Sequence, residues 1–511
     1  MLSAQERLPD ARRYIDRGQY LTVHAPRQTG KTTSLAALAW QLTAEGEYLA
    51  LHFSCEQAEP FGDDFEGAER LVLDLLRGAA TQAGLPPELL PPDPWPESAV
   101  GDRLRAGLTA WVAKCPRPLV LFFDEIDALR GESLRSVLRQ LRGGYTTNRD
   151  GFVHSVVLCG LRDVRDYKAA SGGDPNRLGS ASPFNIKVES LRIGDFTSAE
   201  VAELYGQHTA DTGQEFTADA VERVFCYTQG QPWLVNALAA EIIDNMRIEP
   251  PIPIAVDHVD TAKERLILAR ATHLDSLISK LHEPRVKRII EPLIAGIQPT
   301  IDPTFNDDVA YVADLGLIAP GNPIRVANPI YKEVIVRVLG SGFEKVIVAK
   351  PRSFTLPDGR LDFPRLLTEF AAFWKENGEF MTGNAGYREA APQLIMMAFL
   401  HRIVNGGGYI DREYGVGRGR IDLLIRQPYT AADGTRSWQR EALELKVRRT
   451  GKPDPLVEGL AQLDAYLDRL ELDTGVLVIF DTRPDAAPIT DRTAFSDVRT
   501  VSGRTVTLLR A

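Results

Sequence analysis

The chain is poor in cysteine, has no long apolar run and carries no excess of positive charge, and each shortage removes a class of protein. Only four cysteines occur among 511 residues, Cys55, Cys115, Cys159 and Cys226, and none lies in a CxxC or Cys/His cluster. A disulfide framework or a thiolate metal site is therefore not what organises the fold. Cys159, at the end of an apolar run, reads as a small core residue. No stretch reaches the ~18 uninterrupted apolar residues that a membrane span needs. The first residues, MLSAQERLPDARRYIDRG, lack the apolar segment of a secretory signal. The expectation is a cytoplasmic protein with no membrane partner. The net charge of −10 excludes a globally basic nucleic-acid binder, so any such contact must use local basic patches, helped by bound metal ions.

What is present is ordinary globular sequence, 44% hydrophobic and 25% charged, long enough for about three domains at roughly 150 residues each. The first third alternates short apolar runs with helical patterns. The runs Tyr20–His24, Tyr48–Phe53, Leu119–Phe123 and Val153–Cys159 lack polar alternation, as expected of parallel strands buried on both faces. Helical patterns such as Thr32–Leu42 and Phe65–Ala83 lie between them, which predicts a doubly wound α/β domain. The proline-dense stretch Pro86–Pro96 reads as a surface excursion, and Ala169–Pro183 as a second, Gly/Ser/Pro-rich loop. Helical patterns run from Phe196 to Arg247. The order helix (Arg285–Leu293), helix (Asp307–Leu315), short extended pair, helix (from Asn328) reads as a winged helix, and Gly340-Ser341-Gly342 as a hinge. From Phe343 onward two amphipathic helices precede alternating strands, a helix at Asp454–Leu470 and an apolar strand at Gly475–Phe480.

Two strings carry chemistry in the first domain. The strand Tyr20–His24 runs into Ala25-Pro26-Arg27-Gln28-Thr29-Gly30-Lys31-Thr32-Thr33. A phosphate-binding loop needs a backbone curled so that its N–H groups face phosphate oxygens, a lysine for the β/γ phosphates and a hydroxyl for Mg²⁺. Gly30, Lys31 and Thr32 meet those needs, with Ala25 in place of the usual first glycine. The second string, Pro118–Asp127 (PLVLFFDEID), ends a buried strand in acid. Asp124 would hold Mg²⁺ and Glu125 would polarise an attacking water. After Val153–Cys159, Arg162 is a candidate sensor of the γ-phosphate, with a plain surface arginine as the equal alternative. Gly230-Gln231-Pro232 then opens an apolar helix.

In this order, the P-loop, DEID and the GQP helix resemble the AAA-like/STAND ATPases, most closely the archaeal-type clade near the origin-recognition ATPases, over roughly residues 1–340. The resemblance implies ATP and Mg²⁺ as cofactors, Pro232 packed near the nucleotide, a helical lid that reports nucleotide state, and a homo-oligomer whose neighbouring subunits supply an arginine finger. Arg135, Arg139 and Arg142 are candidate fingers, although a solvated helix face is the plainer reading.

A second constellation lies near the C-terminus. Asp422 sits on a strand after a Gly-rich turn, and Glu441–Val447 (EALELKV) carries Glu444 and Lys446, two apart and therefore on one strand face. Two or three acids for Mg²⁺ and a lysine beside a water are what phosphodiester cleavage requires. The cluster resembles the PD-(D/E)xK nucleases over about residues 380–511, with Ile421-Asp422 in place of Pro-Asp. That resemblance implies Asp422, Glu444 and Glu389 as metal ligands, Lys446 orienting the water, and Gln462 as a polar contact on the following helix. The plain alternative is an amphipathic strand with a salt bridge to Asp422.

The expected architecture is thus α/β: a P-loop NTPase doubly wound parallel sheet (1–195), a helical lid (196–275), a winged helix (276–342) and a C-terminal restriction-endonuclease-like α/β domain (343–511). The acidic second helix of the wing, DDVAYVADLGL, argues for a structural role rather than groove reading. The expected function is an ATPase that gates Mg²⁺-dependent cleavage of nucleic acid, DNA ahead of RNA, in prokaryotic defence or mobile-element biology as such fusions imply. The rivals are a regulatory ATPase whose C-terminal domain binds nucleic acid or protein without cleaving it, and an ATP-driven DNA remodeller.

Overall fold

The computed structural model describes residues 7–161, 187–269, 272–294, 306–344, 354–383, 391–404, 409–416, 419–431 and 433–511. The chain divides into two compact units. One comprises Met1–Phe225, Gln229–Ala262 and Ala313–Gly316, and the other Cys226–Thr228, Lys263–Val312 and Leu317–Ala511.

In the first unit five strands form one sheet: β1 (Tyr20–His24), β2 (Leu49–Ser54), β3 (Leu119–Asp124), β4 (Ser155–Gly160) and β5 (Lys187–Arg192). Their order is β2-β3-β4-β1-β5, and every pairing is parallel. The period of two sorts each apolar run between two cores. Leu119, Leu121 and Phe123 face the helices Phe65–Gln82, Arg103–Lys114 and Gly131–Thr147, whereas Val120 and Phe122 face the helix Lys31–Ala44. Apolar residues on both faces are what a parallel sheet covered by crossover helices demands. The fifth strand, β5, was not expected. Its sequence KVESLR mixes charge into an edge position beside β1, where polar residues protect the sheet margin and blur the strand signal.

The proline-dense Pro86–Pro96 segment is irregular, as its composition requires, but it is anchored. Leu89 is buried and its carbonyl accepts a hydrogen bond from Trp111 Nε1 at 3.0 Å, and the Arg77 guanidinium lies over the Trp95 ring at 5.1 Å. Beyond the sheet, the helices Ser198–Thr212, Ala218–Thr228 and Pro232–Ala240 follow one another.

The second unit begins with helices, among them Pro284–Ile294, Asp307–Asp314 and Pro329–Glu344. Between the last two, the expected strand pair is a single antiparallel bridge, Ile318 to Val326. Helices Phe363–Gly383 and Ala391–Val404 follow, then a six-stranded mixed sheet of order β10-β11-β9-β8-β7-β6. Its strands are β6 (Tyr409–Val416), β7 (Gly419–Thr430), β8 (Arg436–Arg448), β9 (Thr474–Asp481), β10 (Ala494–Arg499) and β11 (Thr505–Arg510). β6, β7 and β8 pair antiparallel, while β8 and β9 pair parallel. A parallel pair needs a crossover, supplied here by the helix Leu456–Arg469. That helix buries Leu463 and Leu467 against Leu424, Ala442, Leu477 and Ile479 of the sheet. An aromatic group that includes Phe370, Trp374, Phe399 and Phe480 forms a second contact, with Trp374 edge-on to Phe480 at 5.1 Å.

Candidate functional site

The loop Ala25–Gly30 leaves the C-terminal end of β1, and Asp124 ends β3, so both lie along the edge where open parallel sheets bind ligands. Gln28 and Gly30 adopt positive φ, +61° and +83°, which curls the loop before the helix Lys31–Ala44. Ala25 is buried and does not adopt positive φ, which explains why alanine serves where glycine is usual. Lys31 is 5% exposed and donates from Nζ to the carbonyl oxygens of Ala25 and Pro26 at 2.8 and 2.9 Å. The Thr29 hydroxyl closes the loop on Pro26 O at 2.9 Å, while Arg27, Thr32 and Thr33 are exposed.

Asp124 is the focal residue. It is 1% exposed, its Oδ1 accepts from Glu125 N–H at 2.9 Å, and its Oδ2 lies 3.2 Å from His52 Nε2. Burial alone would raise its pKa. Hydrogen bonds from His52, Thr32 and Cys159 outweigh that and hold it at about 2. The hydroxyl and the carboxylate expected to share Mg²⁺ are thus close neighbours. The donor set is all oxygen, which suits that ion. Glu125 adopts φ +50°, a left-handed conformation that a non-glycine residue holds only under constraint. Burial first, then the charge of Asp127, pushes its carboxyl pKa up, against the pull of Lys31 and Arg27. Asp127 Oδ2 accepts from Leu161 N–H at 3.3 Å, tying the acidic turn to the end of β4. The sensor candidate Arg162 lies outside the described residues.

The Gly230-Gln231-Pro232 turn reaches the loop. Gln231 Nε2 donates to Gln28 O at 3.4 Å, and Gln231 Oε1 caps the next helix through Leu234 N–H at 2.7 Å. Pro232 is buried at the first position of that helix, where its missing N–H is harmless. Gly230 has φ +79°, and a Cβ there would stand 1.8 Å from Phe196 O. Gly230→Ala is therefore expected to cost roughly 2–4 kcal/mol in urea unfolding and to weaken nucleotide binding with it. A variant as stable as the parent would refute that strain.

In the second unit β7 and β8 bring the other cluster together. Glu444 is 2% exposed, and Asp422 Oδ2 accepts from Leu445 N–H at 2.9 Å across the strand pair. Lys446 Nζ lies 2.9 Å from Glu444 Oε1 and also donates to Gln462 Oε1 on the crossover helix. Gly459 permits that approach, because a Cβ there would lie 2.8 Å from Leu477 Cδ1 and 3.3 Å from Lys446 Cγ. Burial and then the Asp422 charge push the Glu444 pKa up to about 7, against the Lys446 ammonium. Burial disfavours the Lys446 ammonium, but Glu444 more than compensates and raises its pKa. Glu444 Oε2 is buried with no hydrogen-bond partner. A buried carboxylate oxygen left unmatched beside a second carboxylate is the kind of atom a divalent cation satisfies. The third acid, Glu389, lies outside the described residues, and among the described residues no group of three or more His, Cys, Asp or Glu converges on a metal position. Asp422 and Glu444 are therefore a two-carboxylate set, sufficient for Mg²⁺ that keeps waters or substrate oxygens.

Three contacts at these sites were not anticipated. His52 and Cys159 sit inside apolar runs and reach Asp124 only through strand pairing, and Gln231 was seen as part of a motif but not as the residue that touches the loop.

No family model matches the chain, and no curated protein matches it in sequence. Solved structures with a related fold include a Walker-type ATPase of Pyrococcus abyssi, at 13% identity over 66% of this chain and 96% of that one, with a TM-score of 0.46. Another is the RuvB Holliday junction branch migration motor of Thermotoga maritima, at 15% identity over 65% and 93%, with a TM-score of 0.34. A third is the FIGL-1 AAA domain in complex with ADP, at 15% identity over 55% and 90%, with a TM-score of 0.31. Likenesses this distant carry no weight for activity, which must come from the residues themselves. No helix among the described residues is long and apolar enough to cross a membrane.

Proposed function

We propose that the protein is a Mg²⁺-dependent ATPase of AAA-like/STAND type, and that its nucleotide state gates phosphodiester cleavage of nucleic acid, DNA ahead of RNA, by a PD-(D/E)xK domain at its C-terminus. The observation that carries the ATPase half is that Thr32 stands close enough to the buried Asp124 carboxylate to help lower its pKa, which joins the two motifs into one site. Lys31 would leave its two carbonyl partners for the β/γ phosphates, and Glu125 would polarise the attacking water. A bound Mg²⁺ held by Thr32 and Asp124 would neutralise phosphate charge.

For the nuclease half, the support is Lys446 held between Glu444 and Gln462 beside Asp422. Asp422 and Glu444 would hold Mg²⁺, and Lys446 would orient the water. The four-part division (1–195, 196–275, 276–342, 343–511) belongs to the same proposal, as does assembly into a homo-oligomer. The winged helix serves as a connector in this reading. Asp308, on its acidic helix, is taken up by Arg285 and Arg288 of the preceding helix at 3.2 and 2.7 Å.

The test is cleavage of plasmid and single-stranded DNA in Mg²⁺, with and without ATP, by the parent, Lys31→Ala and Asp422→Ala. The parent should cleave in an ATP-dependent way. Asp422→Ala should hydrolyse ATP without cleaving, and Lys31→Ala should lose the response to ATP. Cleavage by Asp422→Ala at the parent's rate would reject the assignment, and ATP hydrolysis with no cleavage by the parent would leave a binding domain in its place.

A further inference from the structure

The β7–β8 hairpin outruns its neighbours. β9 pairs with β8 only over Leu443–Arg448, and β6 pairs with β7 only as far as Arg426. Residues Gln427–Thr430 and Arg436–Gln439 therefore form a two-stranded ribbon, and β8 begins at Arg436, ahead of the Glu441–Val447 stretch. The register runs without a bulge from Leu423 opposite Leu443 to Thr430 opposite Arg436. Strand alternation then places Arg426, Pro428, Thr430, Arg436, Trp438 and Arg440 on the face that carries Asp422, Glu444 and Lys446.

The two faces of the ribbon differ. One is covered by the chain itself: Gln439 exchanges hydrogen bonds with the Leu361 backbone at 2.7 and 3.0 Å, Gln427 Nε2 donates to Gly359 O at 3.4 Å, and Arg360 lies over Tyr429. On the other, Arg436 and Arg440 are exposed. The guanidiniums of Arg426 and Arg436 lie over the Trp438 ring at 5.7 and 5.8 Å. None of the six residues on this face is acidic, in a chain whose net charge is −10.

The geometry points to this strip as a seat for the sugar–phosphate backbone of the duplex DNA acted on at the Asp422–Glu444–Lys446 centre; between the two, Leu424 and Ala442 lie buried under the helix Leu456–Arg469. The seat rests on the nuclease reading for what happens at the centre, but not for binding. At about 3.4 Å per residue, Arg440 and Arg436 stand about 14 and 27 Å along β8 from Glu444, past the buried Ala442, a span shorter than one duplex turn of about 34 Å. Trp438 has guanidiniums over its ring, so it holds arginines in place rather than offering a bare face to a base. The exposed Arg436, held this way, and the exposed Arg440 present forks suited to phosphate oxygens. That favours backbone contact with a duplex over stacking with a single strand.

The test is anisotropy of a labelled duplex, with a single-stranded arm, in Ca²⁺ without Mg²⁺ and across a salt series. Arg436→Gln/Arg440→Gln should lower duplex affinity about tenfold or more at low salt, and should flatten the log–log salt slope by about 2, at about 0.9 per phosphate contact. Trp438→Leu should flatten the slope as well, through arginines no longer held. Both variants should keep the parent's melting temperature and ATP hydrolysis, since the changed side chains are exposed or half-buried and lie in the other unit. Duplex affinity and slope unchanged in both variants, or a parent that does not bind duplex, would overturn the strip. A larger loss on single strands for Trp438→Leu would overturn the duplex assignment. A parent that cleaves while the hairpin variants bind normally refutes the strip alone, and a parent that binds through the strip yet never cleaves in Mg²⁺ refutes the nuclease reading alone.

Discussion

Glu125→Gln is expected to bind ATP as the parent does and to hydrolyse it about 100- to 10,000-fold more slowly, the range for loss of a positioned general base. The argument separates two neighbouring acids. Asp124 is buried, hydrogen-bonded by His52, Thr32 and Cys159, and held at a pKa of about 2, so it stays ionised and serves as a fixed anion for Mg²⁺. Glu125 is only half-buried and its pKa is raised, by burial and by Asp127, which makes it a better proton acceptor. Its left-handed backbone, φ +50°, fixes the side chain relative to the strand end. Glutamine keeps that shape and loses only the charge, so binding survives while proton acceptance does not. Asp124→Asn differs, since it should weaken Mg²⁺-dependent nucleotide binding itself. Single-turnover hydrolysis and fluorescent-nucleotide affinity, measured side by side, separate the two. Hydrolysis by Glu125→Gln at the parent's rate would move the base to another residue.

The legibility of each site in the sequence followed its range in the chain. Lys31, Thr32, Asp124 and Glu125 were legible because a strand end and a helix start sit within a few residues of the chemistry. Glu444 and Lys446 were legible because two-residue spacing on a strand fixes a shared face without knowledge of partners. His52 was not, because only the pairing of β2 with β3, with Ser54 opposite Asp124, brings its ring to that carboxylate. The same holds for Cys159, which reads as a core thiol until β4 is placed beside β3. Gly459 carries no local signal, since its need is a contact between its helix and Leu477 on β9. The arginine and tryptophan strip depends on the hairpin register, and Arg426 and Trp438 are twelve positions apart in the sequence yet adjacent across the ribbon. β5 is faint in the sequence for the opposite reason: its edge position lets polar residues dilute the apolar run.

The second large effect belongs to Lys446. Lys446→Ala should reduce cleavage about 100- to 1,000-fold, as loss of a preorganised charge at a reacting centre does, with ATP hydrolysis by the other unit unchanged. Its companion, Glu444→Gln, should abolish cleavage and yet stabilise the metal-free protein. The folded pKa of Glu444 is raised to about 7 from an ordinary 4.5. Between those values the unfolded chain has released a proton that the folded chain keeps. Folding stability therefore falls as pH rises through this window, and the loss is complete once the folded carboxyl ionises. Glutamine carries no such charge. In EDTA the Glu444→Gln protein should melt above the parent when the pH exceeds 7, and the gap should close as the pH falls towards 4.5. Mg²⁺ should raise the melting temperature of the parent and leave the glutamine variant unmoved, because only the parent offers the buried Oε2 to a cation. Lys446→Ala removes the cation paired with Glu444, so it should melt below the parent at the same alkaline pH. A Glu444→Gln protein less stable than the parent at every pH would make the pair with Lys446 an ordinary salt bridge, and the site would then lose its strongest physical claim to a metal.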